Sequence, residues 1–308
     1  MTKVDLVTGF LGAGKTTFIT KYAKWLKEQG CTAAVIENEF GTSGTDSAVL
    51  VEQGFAVAEL TGGCICCSLK VNFAETLVSL SKKFDRIIVE PSGIFAMEDF
   101  FQVMRSPAVK ECCQLGCVLT VVDPMSLSDV TEEMAAVMAS QLCNTGLVLF
   151  SKTEDLFAEQ LVDAKEMIDE IFATVFPNRK KSLPHKFTSW QTLTTADFTE
   201  IAGSTPLWEE YRQPQINHET IFNSMTLQPS LAFSEETMYK KISQLFQNKE
   251  CGGILRIKGR VPAKNGQILV VSASPSGTSV TPGNTGDAIL TIIGKGLNRK
   301  RIREQLEI

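Results

Sequence analysis

Gly9-Phe-Leu-Gly-Ala-Gly14-Lys15-Thr16 matches the phosphate-binding pattern G-x4-G-K-[ST]. It follows the short apolar run Val4 to Thr8 and opens the amphipathic segment Lys15 to Gln29, which is the strand, loop and helix context that the pattern requires. Successive backbone N–H groups of such a loop, together with the positive end of the helix dipole, bind phosphate. The sequence therefore predicts a nucleoside triphosphate site, with Lys15 on the β- and γ-phosphates and Thr16 on Mg²⁺. The predicted contact positions are Gly9, Gly12, Ala13, Gly14, Lys15, Thr16 and Thr17.

Short apolar runs alternate with amphipathic segments of helical length on both sides of this loop. The predicted strands are Val4 to Thr8, Ala33 to Glu37, Phe55 to Leu60, Arg86 to Glu90, Cys117 to Asp123 and Leu147 to Ser151. The predicted helices are Lys15 to Gln29, Phe73 to Lys83, Ser128 to Leu142 and Leu156 to Phe172. This alternation predicts an α/β fold, with a doubly wound and mostly parallel sheet that carries helices on both faces.

The pattern changes after Phe176, where a basic, proline-bearing stretch leads into a polar region and the alternation lapses. Beyond it the sequence predicts a small α+β unit. Its predicted elements are a strand from Ile221 to Gln228, a helix from Ser234 to Asn248, strands at Gly253 to Lys258, Gln267 to Ala273 and Ala288 to Ile293, and a helix from Leu297 to Leu306. The polar segment Ala273 to Gly286 is interpreted as a mobile hairpin or loop. We therefore divide the chain into a nucleotide-binding domain, residues 1–210, and a C-terminal domain, residues 215–308.

Composition limits the class of partner and the compartment. Lys and Arg number 30 and Asp and Glu number 35, and the net charge of −5 gives no field that attracts nucleic acid or an anionic membrane. No run approaches the roughly 18 to 20 consecutive apolar residues of a membrane-spanning helix. The nine cysteines are odd in number and clustered, which suits thiols in a reducing compartment better than disulfides. We expect a soluble, cytoplasmic protein.

A nucleoside triphosphate site also needs an acid at the end of a neighbouring strand, where it holds Mg²⁺ or one of its waters. Ile87-Ile-Val-Glu90 supplies that acid, so we predict Glu90 as the second Mg²⁺ ligand beside Thr16. Gly93 follows at a point where the backbone approaches the γ-phosphate.

The segment Leu147-Val-Leu-Phe-Ser151-Lys152-Thr153-Glu154 ends a strand where the nucleotide base is expected, and it is similar to the guanine-reading pattern N-K-x-D. Glu154 keeps the carboxylate on a longer arm, whereas Ser151 lacks the amide of Asn. A site built on hydrogen bonds from an acid to guanine rejects bases that lack them. We therefore predict GTP and GDP as the nucleotides, with Ser151, Lys152 and Glu154 on the base side.

Gly62-Gly63-Cys64-Ile65-Cys66-Cys67 is the second unusual segment. Three thiols do not close a four-ligand structural zinc site, so a bound metal has an open position or takes a carboxylate such as Glu37 or Glu39. Buried thiols beside a glycine turn are the alternative interpretation. For the second group, Cys112, Cys113 and Cys117, we favour buried thiols over a second metal or redox site.

These motifs, in their order and spacing, resemble the CobW-like family of P-loop GTPases, which are metallochaperones and cobalamin-biosynthesis proteins close to the urease and hydrogenase nickel-insertion GTPases. The resemblance rests on Gly9 to Thr17, Glu37-Asn-Glu-Phe-Gly41, Gly63-Cys-Ile-Cys-Cys67, Glu90-x-x-Gly93 and Ser151-Lys152, and more loosely on Leu255 to Gly259 and Ile292 to Gly294. The chain departs from the family pattern at Thr42 and lacks the histidine-rich tract often found between the domains.

The resemblance implies slow GTP hydrolysis coupled to loading or releasing a transition metal, with Cys64, Cys66, Cys67 and Glu37 as ligands of that metal. Thiolates favour Zn²⁺, Co²⁺ or Ni²⁺ over Mg²⁺ without choosing among the three. We assign the catalytic role to Lys15, Thr16, Glu90 and Glu39. The implied partner is a client metalloenzyme or a protein of a metal-cofactor pathway. The sequence leaves open whether the protein forms a homodimer.

Two other functions remain open from the sequence. The chain could be a nucleotide-gated switch that assists a corrinoid or other metalloenzyme client without carrying metal. It could also be a small-molecule kinase that uses ATP, in which the C-terminal unit binds the acceptor; the cysteine cluster lends that hypothesis no support.

Overall fold

The computed structural model describes residues 1–37, 50–51, 54–59, 67–93, 97–128, 130–175, 182–206, 222–275, 277–283 and 286–308. These residues form two compact units, one holding the described chain up to residue 206 and the other the described chain from residue 222 onward. The predicted boundary at residues 210–215 lies outside the described residues, so its position stays a prediction.

The first unit is built on a seven-stranded sheet with the order β3-β2-β4-β1-β5-β6-β7, and every neighbouring pair is parallel. Its strands are β1 (Thr2–Thr8), β2 (Ala33–Glu37), β3 (Ala56–Glu59), β4 (Arg86–Glu90), β5 (Cys113–Val122), β6 (Leu147–Phe150) and β7 (His185–Phe187). The order reverses at β1, because the chain runs from β1 past β4 to β2 and later returns to β5 on the other side of β1. The predicted doubly wound parallel sheet is confirmed.

Helices cover both faces of this sheet and bury two separate apolar clusters. They are α1 (Lys15–Glu28), α2 (Cys67–Ser81), α3 (Met97–Met104), α4 (Pro107–Lys110), α5 (Glu132–Leu142), α6 (Ala158–Val175) and α7 (Thr195–Gly203). Helix α1 shows why the sequence folds this way, because its apolar residues recur every three or four positions and Phe18, Tyr22 and Leu26 are buried on one face. Gly14 precedes α1 in the left-handed conformation, which glycine adopts without steric cost.

The expectation that strand and helix alternation lapses after Phe176 is wrong for residues 182–206. The sheet gains β7 there, and α7 follows with a capping box in which Thr194 and Asp197 bond each other's backbone N–H. The short strand His185-Lys-Phe187 carries no apolar run. In the described part of the chain it lies at the edge of the sheet, where it pairs with β6. Three residues are too few to show a hydrophobic period, so periodicity does not predict this strand.

The second unit is an antiparallel five-stranded sheet with helices, which confirms the predicted α+β class. Its strands, in the spatial order β11-β10-β9-β12-β8, are β8 (Asn223–Leu227), β9 (Gly253–Pro262), β10 (Ile268–Ser274), β11 (Gly277–Gly283) and β12 (Leu290–Lys295). Helices α8 (Glu235–Gln247) and α9 (Arg299–Leu306) join the strands in one apolar core. The segment after Ala273 forms the β10–β11 hairpin, one of the two predicted forms.

None of the helices in the described part of the chain is both long enough and apolar enough to cross a membrane.

A buried carboxylate ties β1 to three neighbouring elements. Asp5 is fully buried, forms an ion pair with the guanidinium of Arg86 on β4, and accepts a hydrogen bond of 3.0 Å from the Tyr22 hydroxyl on α1. Its other oxygen accepts a 2.9 Å hydrogen bond from the backbone N–H of Cys117 on β5. A Cβ on Gly116 would lie 2.0 Å from that oxygen, so only glycine leaves room for the carboxylate.

We expect Asp5→Asn to lower the free energy of unfolding by about 3–5 kcal/mol, because the Arg86 charge would stay buried without its counter-charge. Urea denaturation followed by circular dichroism measures this loss. Glu28→Gln is the matched control, because the Glu28 carboxylate is exposed and reaches Lys24 only at 4.0 Å, and such pairs contribute about 0–1 kcal/mol. An Asp5→Asn protein as stable as the control would contradict the role given to this ion pair.

Candidate functional site

The candidate site lies at the carboxyl edge of the parallel sheet, where ligands of open α/β sheets bind at the point of order reversal. Five adjacent strands end at this edge, and each is followed by residues of the candidate site. These residues are the loop 9–14 after β1, Ser92 and Gly93 after β4, Asp123 after β5, Ser151 and Lys152 after β6, and residues 188–194 after β7. The predicted phosphate, Mg²⁺ and base positions of the described chain therefore meet along one edge.

The loop from Gly9 to Gly14 depends on glycine for its shape. Gly9, Gly12 and Gly14 have φ angles of 142°, 81° and 93°, which side chains with a Cβ rarely adopt. A Cβ on Gly9 would also lie 2.1 Å from the carbonyl oxygen of Val121 on β5. The loop thus packs its backbone against the neighbouring strand, and α1 begins directly after it.

Lys15 is 8% exposed and folds back over the loop. Its ammonium donates hydrogen bonds to the carbonyl oxygens of Gly9 at 3.0 Å and Phe10 at 3.3 Å. The ammonium therefore already lies against the loop backbone, close to where the motif predicts phosphate.

Thr16 and Glu90 meet as the sequence predicted. The Thr16 hydroxyl on the first turn of α1 donates a 3.0 Å hydrogen bond to Oε1 of Glu90, the last residue of β4. Glu90 is 9% exposed. A hydroxyl and a carboxylate oxygen at this spacing are the hard donors that Mg²⁺ takes alongside water and phosphate oxygens, so these two residues fit a Mg²⁺ ion.

Gly93 supports the loop from the side of β4. A Cβ on Gly93 would lie 2.6 Å from the backbone nitrogen of Leu11, so the two backbones touch. The Gly93 carbonyl accepts a 2.9 Å hydrogen bond from the side-chain amide of Gln141 on α5. Gln141, which the sequence analysis did not single out, thus fixes the backbone next to the phosphate loop.

The residues after β6 bond the phosphate loop itself. The Ser151 side chain is fully buried, and its hydroxyl donates to the carbonyl oxygen of Ala13 at 2.7 Å. The Lys152 ammonium donates to the carbonyl oxygen of Gly12 at 3.0 Å and to Oδ2 of Asp123 at 2.6 Å. Lys152 has a φ of 53°, a conformation unusual for a residue with a side chain. Asp123 is a second residue that the sequence analysis passed over, although an acid ending a strand at this edge was a usable signal.

For the other predicted site residues, Thr17, Glu154 and Glu37, the structure gives the position in the fold and the exposure. Thr17 lies exposed on the first turn of α1, and Glu154 lies exposed in the turn after Lys152. Glu37, 5% exposed, ends β2 directly beside Glu90 in the sheet register. Their roles stay predictions.

Much of the predicted metal site lies outside the described residues. Cys64, Cys66 and Glu39 belong to that part of the chain, and Cys67 is described only as the first residue of α2. The ligand set for a transition metal therefore stays a prediction.

The second cysteine group consists of thiols. Cys113 and Cys117 are buried and Cys112 is half-buried, and all three are free thiols. The choice of buried thiols over a second metal or redox site stays a prediction. Burial raises the pKa of the Cys113 thiol to about 12 and raises the pKa of the Cys117 thiol as well. Thiols with raised pKa values are poor nucleophiles and poor metal ligands at neutral pH.

Residues 3–176 match the family described as "CobW/HypB/UreG, nucleotide-binding domain". The chain belongs to this family, which confirms the resemblance inferred from its motifs.

Similar proteins carry names related to zinc. The chain is 31% identical over 156 residues to the zinc chaperone YeiR of Escherichia coli, covering 50% of this chain and 47% of that protein. It is 29% identical over 206 residues to the zinc chaperone CobW of Pseudomonas aeruginosa, covering 56% and 54%. It is also 28% identical over 178 residues to the zinc-regulated GTPase metalloprotein activator 1 of Schizosaccharomyces pombe, covering 54% and 43%.

The chain spans about half the length of these relatives. Among solved structures, the Zn(II)-bound YjiA GTPase from E. coli aligns with 99% of this chain and 98% of that chain, at 17% identity and a TM-score of 0.40. That likeness is too loose to support an inference about function.

We expect Ser151→Ala to weaken nucleotide binding about three- to ten-fold, because the buried carbonyl of Ala13 loses its hydrogen bond and the phosphate loop loosens. Isothermal titration calorimetry with GDP and Mg²⁺ measures the change. Ser128→Ala serves as the control, because within the described residues its hydroxyl bonds the nearby carbonyl of Met125. Equal affinities for the two variants would show that the Ser151 hydroxyl does not shape the loop.

Proposed function

We propose that this protein is a Mg²⁺-dependent, slow GTPase that binds a transition metal through its C-x-C-C segment and delivers it to a client metalloprotein. The contact between the Thr16 hydroxyl and the Glu90 carboxylate at the phosphate loop carries the nucleotide part of this proposal. Membership of the family and the names of the relatives support the metal part, and we take zinc as the first candidate among Zn²⁺, Co²⁺ and Ni²⁺.

In the proposed reaction the phosphate loop binds the β-phosphate through its backbone N–H groups. The Lys15 ammonium would leave the Gly9 and Phe10 carbonyls for the β- and γ-phosphate oxygens. Thr16 and Glu90 would hold Mg²⁺, which supplies positive charge where the leaving phosphate gains negative charge. We expect slow turnover because Gln141, which lies next to Gly93 in the described part of this edge, is buried and donates its side-chain amide to the Gly93 carbonyl instead of orienting an attacking water.

The preference for guanine rests on the residues after β6. Lys152 is fixed by Gly12 and Asp123, and the Glu154 carboxylate follows two residues later in the exposed turn. Glu154 would then accept hydrogen bonds from guanine. An ATP-dependent kinase, the less favoured alternative, would bind ATP at least as tightly as GTP and transfer phosphate to an acceptor other than water.

The sheet register offers a physical link between nucleotide and metal. Glu37 pairs with Glu90 in the parallel register of β2 and β4, so the two carboxylates extend from the same face of adjacent strands, whose backbones lie about 4.8 Å apart. If Glu90 holds Mg²⁺ and Glu37 binds the transported metal, a change in one ion changes the electrostatic field at the other. Such coupling makes metal affinity depend on the nucleotide and nucleotide affinity depend on the metal by the same factor.

We also propose the cytoplasm as the compartment, supported by the free thiols among the described cysteines, since thiols persist where disulfides are kept reduced. The client is a metalloenzyme or a protein of a metal-cofactor pathway. The homodimer stays a prediction.

The test is an anaerobic titration of the reduced protein with Co²⁺, with Mg²⁺ present throughout, in the GTP-bound, GDP-bound and nucleotide-free states. We expect one ion with thiolate-to-cobalt absorption, whose affinity differs between GTP and GDP by at least five-fold, a typical size for coupled sites. Zn²⁺ should displace it. Cys66→Ser should abolish the absorption. Cys31→Ser should keep it, because the Cys31 thiol in the described chain bonds the neighbouring carbonyl of Thr32.

Absence of thiolate absorption, or equal affinity in the GTP and GDP states, would overturn the metal part of the proposal. The nucleotide-gated switch would then be favoured, and a Cys66→Ser protein that keeps client binding and its response to nucleotide would support it.

A further inference from the structure

Gln141 connects a helix on the face of the sheet with the backbone of the nucleotide edge. It lies in the last turn of α5, and its side chain is fully buried. The side-chain amide nitrogen donates a 2.9 Å hydrogen bond to the carbonyl oxygen of Gly93, in the segment that follows β4. Helix α5 is therefore bonded directly to the point at which we expect the γ-phosphate.

Gly93 is located by a second contact as well, with the phosphate loop. A Cβ on Gly93 would lie 2.6 Å from the backbone nitrogen of Leu11 and 2.9 Å from its Cα, so the two backbones touch without room for a side chain. The hydrogen bond from Gln141 and this backbone contact together fix the position of Gly93 relative to the loop.

Gln141 is itself held by the sheet. The Thr120 hydroxyl on β5 donates a 3.2 Å hydrogen bond to the backbone carbonyl of Gln141, and Thr120 is buried. The carbonyl groups in the last turn of a helix have no partner within the helix, so a side chain from the adjacent strand supplies one here. The amide of Gln141 thus starts from a fixed backbone position.

Packing alone does not explain an amide at this place. A carbonyl oxygen only accepts hydrogen bonds, so the amide nitrogen of Gln141 has to face Gly93. Oε1 of Gln141 is then buried and has no donor among the described residues. An unpaired buried acceptor costs about 1–3 kcal/mol, whereas an apolar side chain of the same length would fill the space without that cost. The bond to Gly93 is the feature that an apolar side chain would not provide.

The position of Gly93 matters for one nucleotide more than for the other. GTP and GDP both place phosphates on the loop 9–14, and only GTP carries the γ-phosphate that Gly93 is expected to approach. A residue that fixes Gly93 should therefore affect the affinity for the triphosphate and leave the affinity for the diphosphate unchanged.

We propose that Gln141 is a positioning residue that holds the Gly93 backbone for the γ-phosphate, so that its amide sets how strongly the site prefers a nucleoside triphosphate to the diphosphate. The inference rests on the proposed nucleotide site, and it depends neither on the identity of the base nor on metal transfer.

The test is the variant Gln141→Met in the full chain. Met is an unbranched side chain of similar length that suits a helix, and it removes the donor to Gly93. Calorimetry measures the Kd of GDP and of the non-hydrolysable analogue guanosine 5′-(β,γ-imido)triphosphate, each with Mg²⁺. We expect the Kd of the analogue to rise about three- to ten-fold, and the Kd of GDP to stay within about two-fold of that of the unaltered protein.

Ser140→Ala is the matched control. Ser140 precedes Gln141 on α5 and is fully buried, and its hydroxyl has no hydrogen-bond partner in the described part of the chain. This variant changes the same turn of the helix and leaves the bond to Gly93 in place. We expect both Kd values to stay within about two-fold of those of the unaltered protein.

A second measurement needs no substitution. Solution NMR of the isotope-labelled, unaltered protein compares the side-chain amide signals of Gln141 in the GDP-bound and analogue-bound states. We expect these signals to differ between the two states, because the acceptor of the amide lies where the γ-phosphate binds. Identical signals in the two states would overturn the inference even if Gln141→Met folds poorly.

The remaining outcomes separate this inference from the proposed function. An unchanged Kd for the analogue in folded Gln141→Met protein would overturn the role of Gln141 and leave the proposed function intact. An equal loss of affinity for GDP and the analogue would show that Gln141 supports the whole loop, which also contradicts the inference. If the unaltered protein binds neither GDP nor the analogue, the proposed function itself fails.

Discussion

Two hydrogen bonds from the end of β6 hold the phosphate loop in place. The Ser151 hydroxyl donates to the carbonyl oxygen of Ala13, and the Lys152 ammonium donates to the carbonyl oxygen of Gly12. A loop of glycines has many conformations, and fixing each residue costs about 1–2 kcal/mol. Tethering it to a buried strand makes the N–H groups available in one arrangement, and every other proposed contact with nucleotide depends on that arrangement.

Buried contacts inside the sheet also hold the strands of this edge together. The Asp5 carboxylate, with Arg86 and Tyr22, joins β1, β4 and α1 deep in the sheet. Thr16 and Glu90 join two of these elements, α1 and β4, at its carboxyl edge. Strand β4 thus contributes a structural cation at one end and the predicted Mg²⁺ ligand at the other. Because Glu37 lies beside Glu90 in register, the same strand pair connects the nucleotide site with a predicted ligand of the transported metal.

The sequence predicted the sheet, the phosphate loop and the meeting of Thr16 with Glu90, because each of these features has a sequence pattern that corresponds to one local structure. A glycine pattern between a strand and a helix has few alternatives, and acids that end parallel strands meet at one edge. The contact of Gln141 with Gly93 could not be predicted in this way, because it depends on how α5 packs onto the loop. The three-residue strand His185–Phe187 leaves no periodic signal.

We propose that nucleotide and transition metal share a free-energy coupling across this sheet edge. The direct measurement is the Kd of GTP and of GDP, both with Mg²⁺, in the absence and in the presence of one equivalent of Zn²⁺, by calorimetry under anaerobic conditions. We expect Zn²⁺ to change the ratio of the two Kd values by at least five-fold, and Glu37→Gln to reduce this effect. A ratio that Zn²⁺ leaves unchanged would show that the two sites are not coupled.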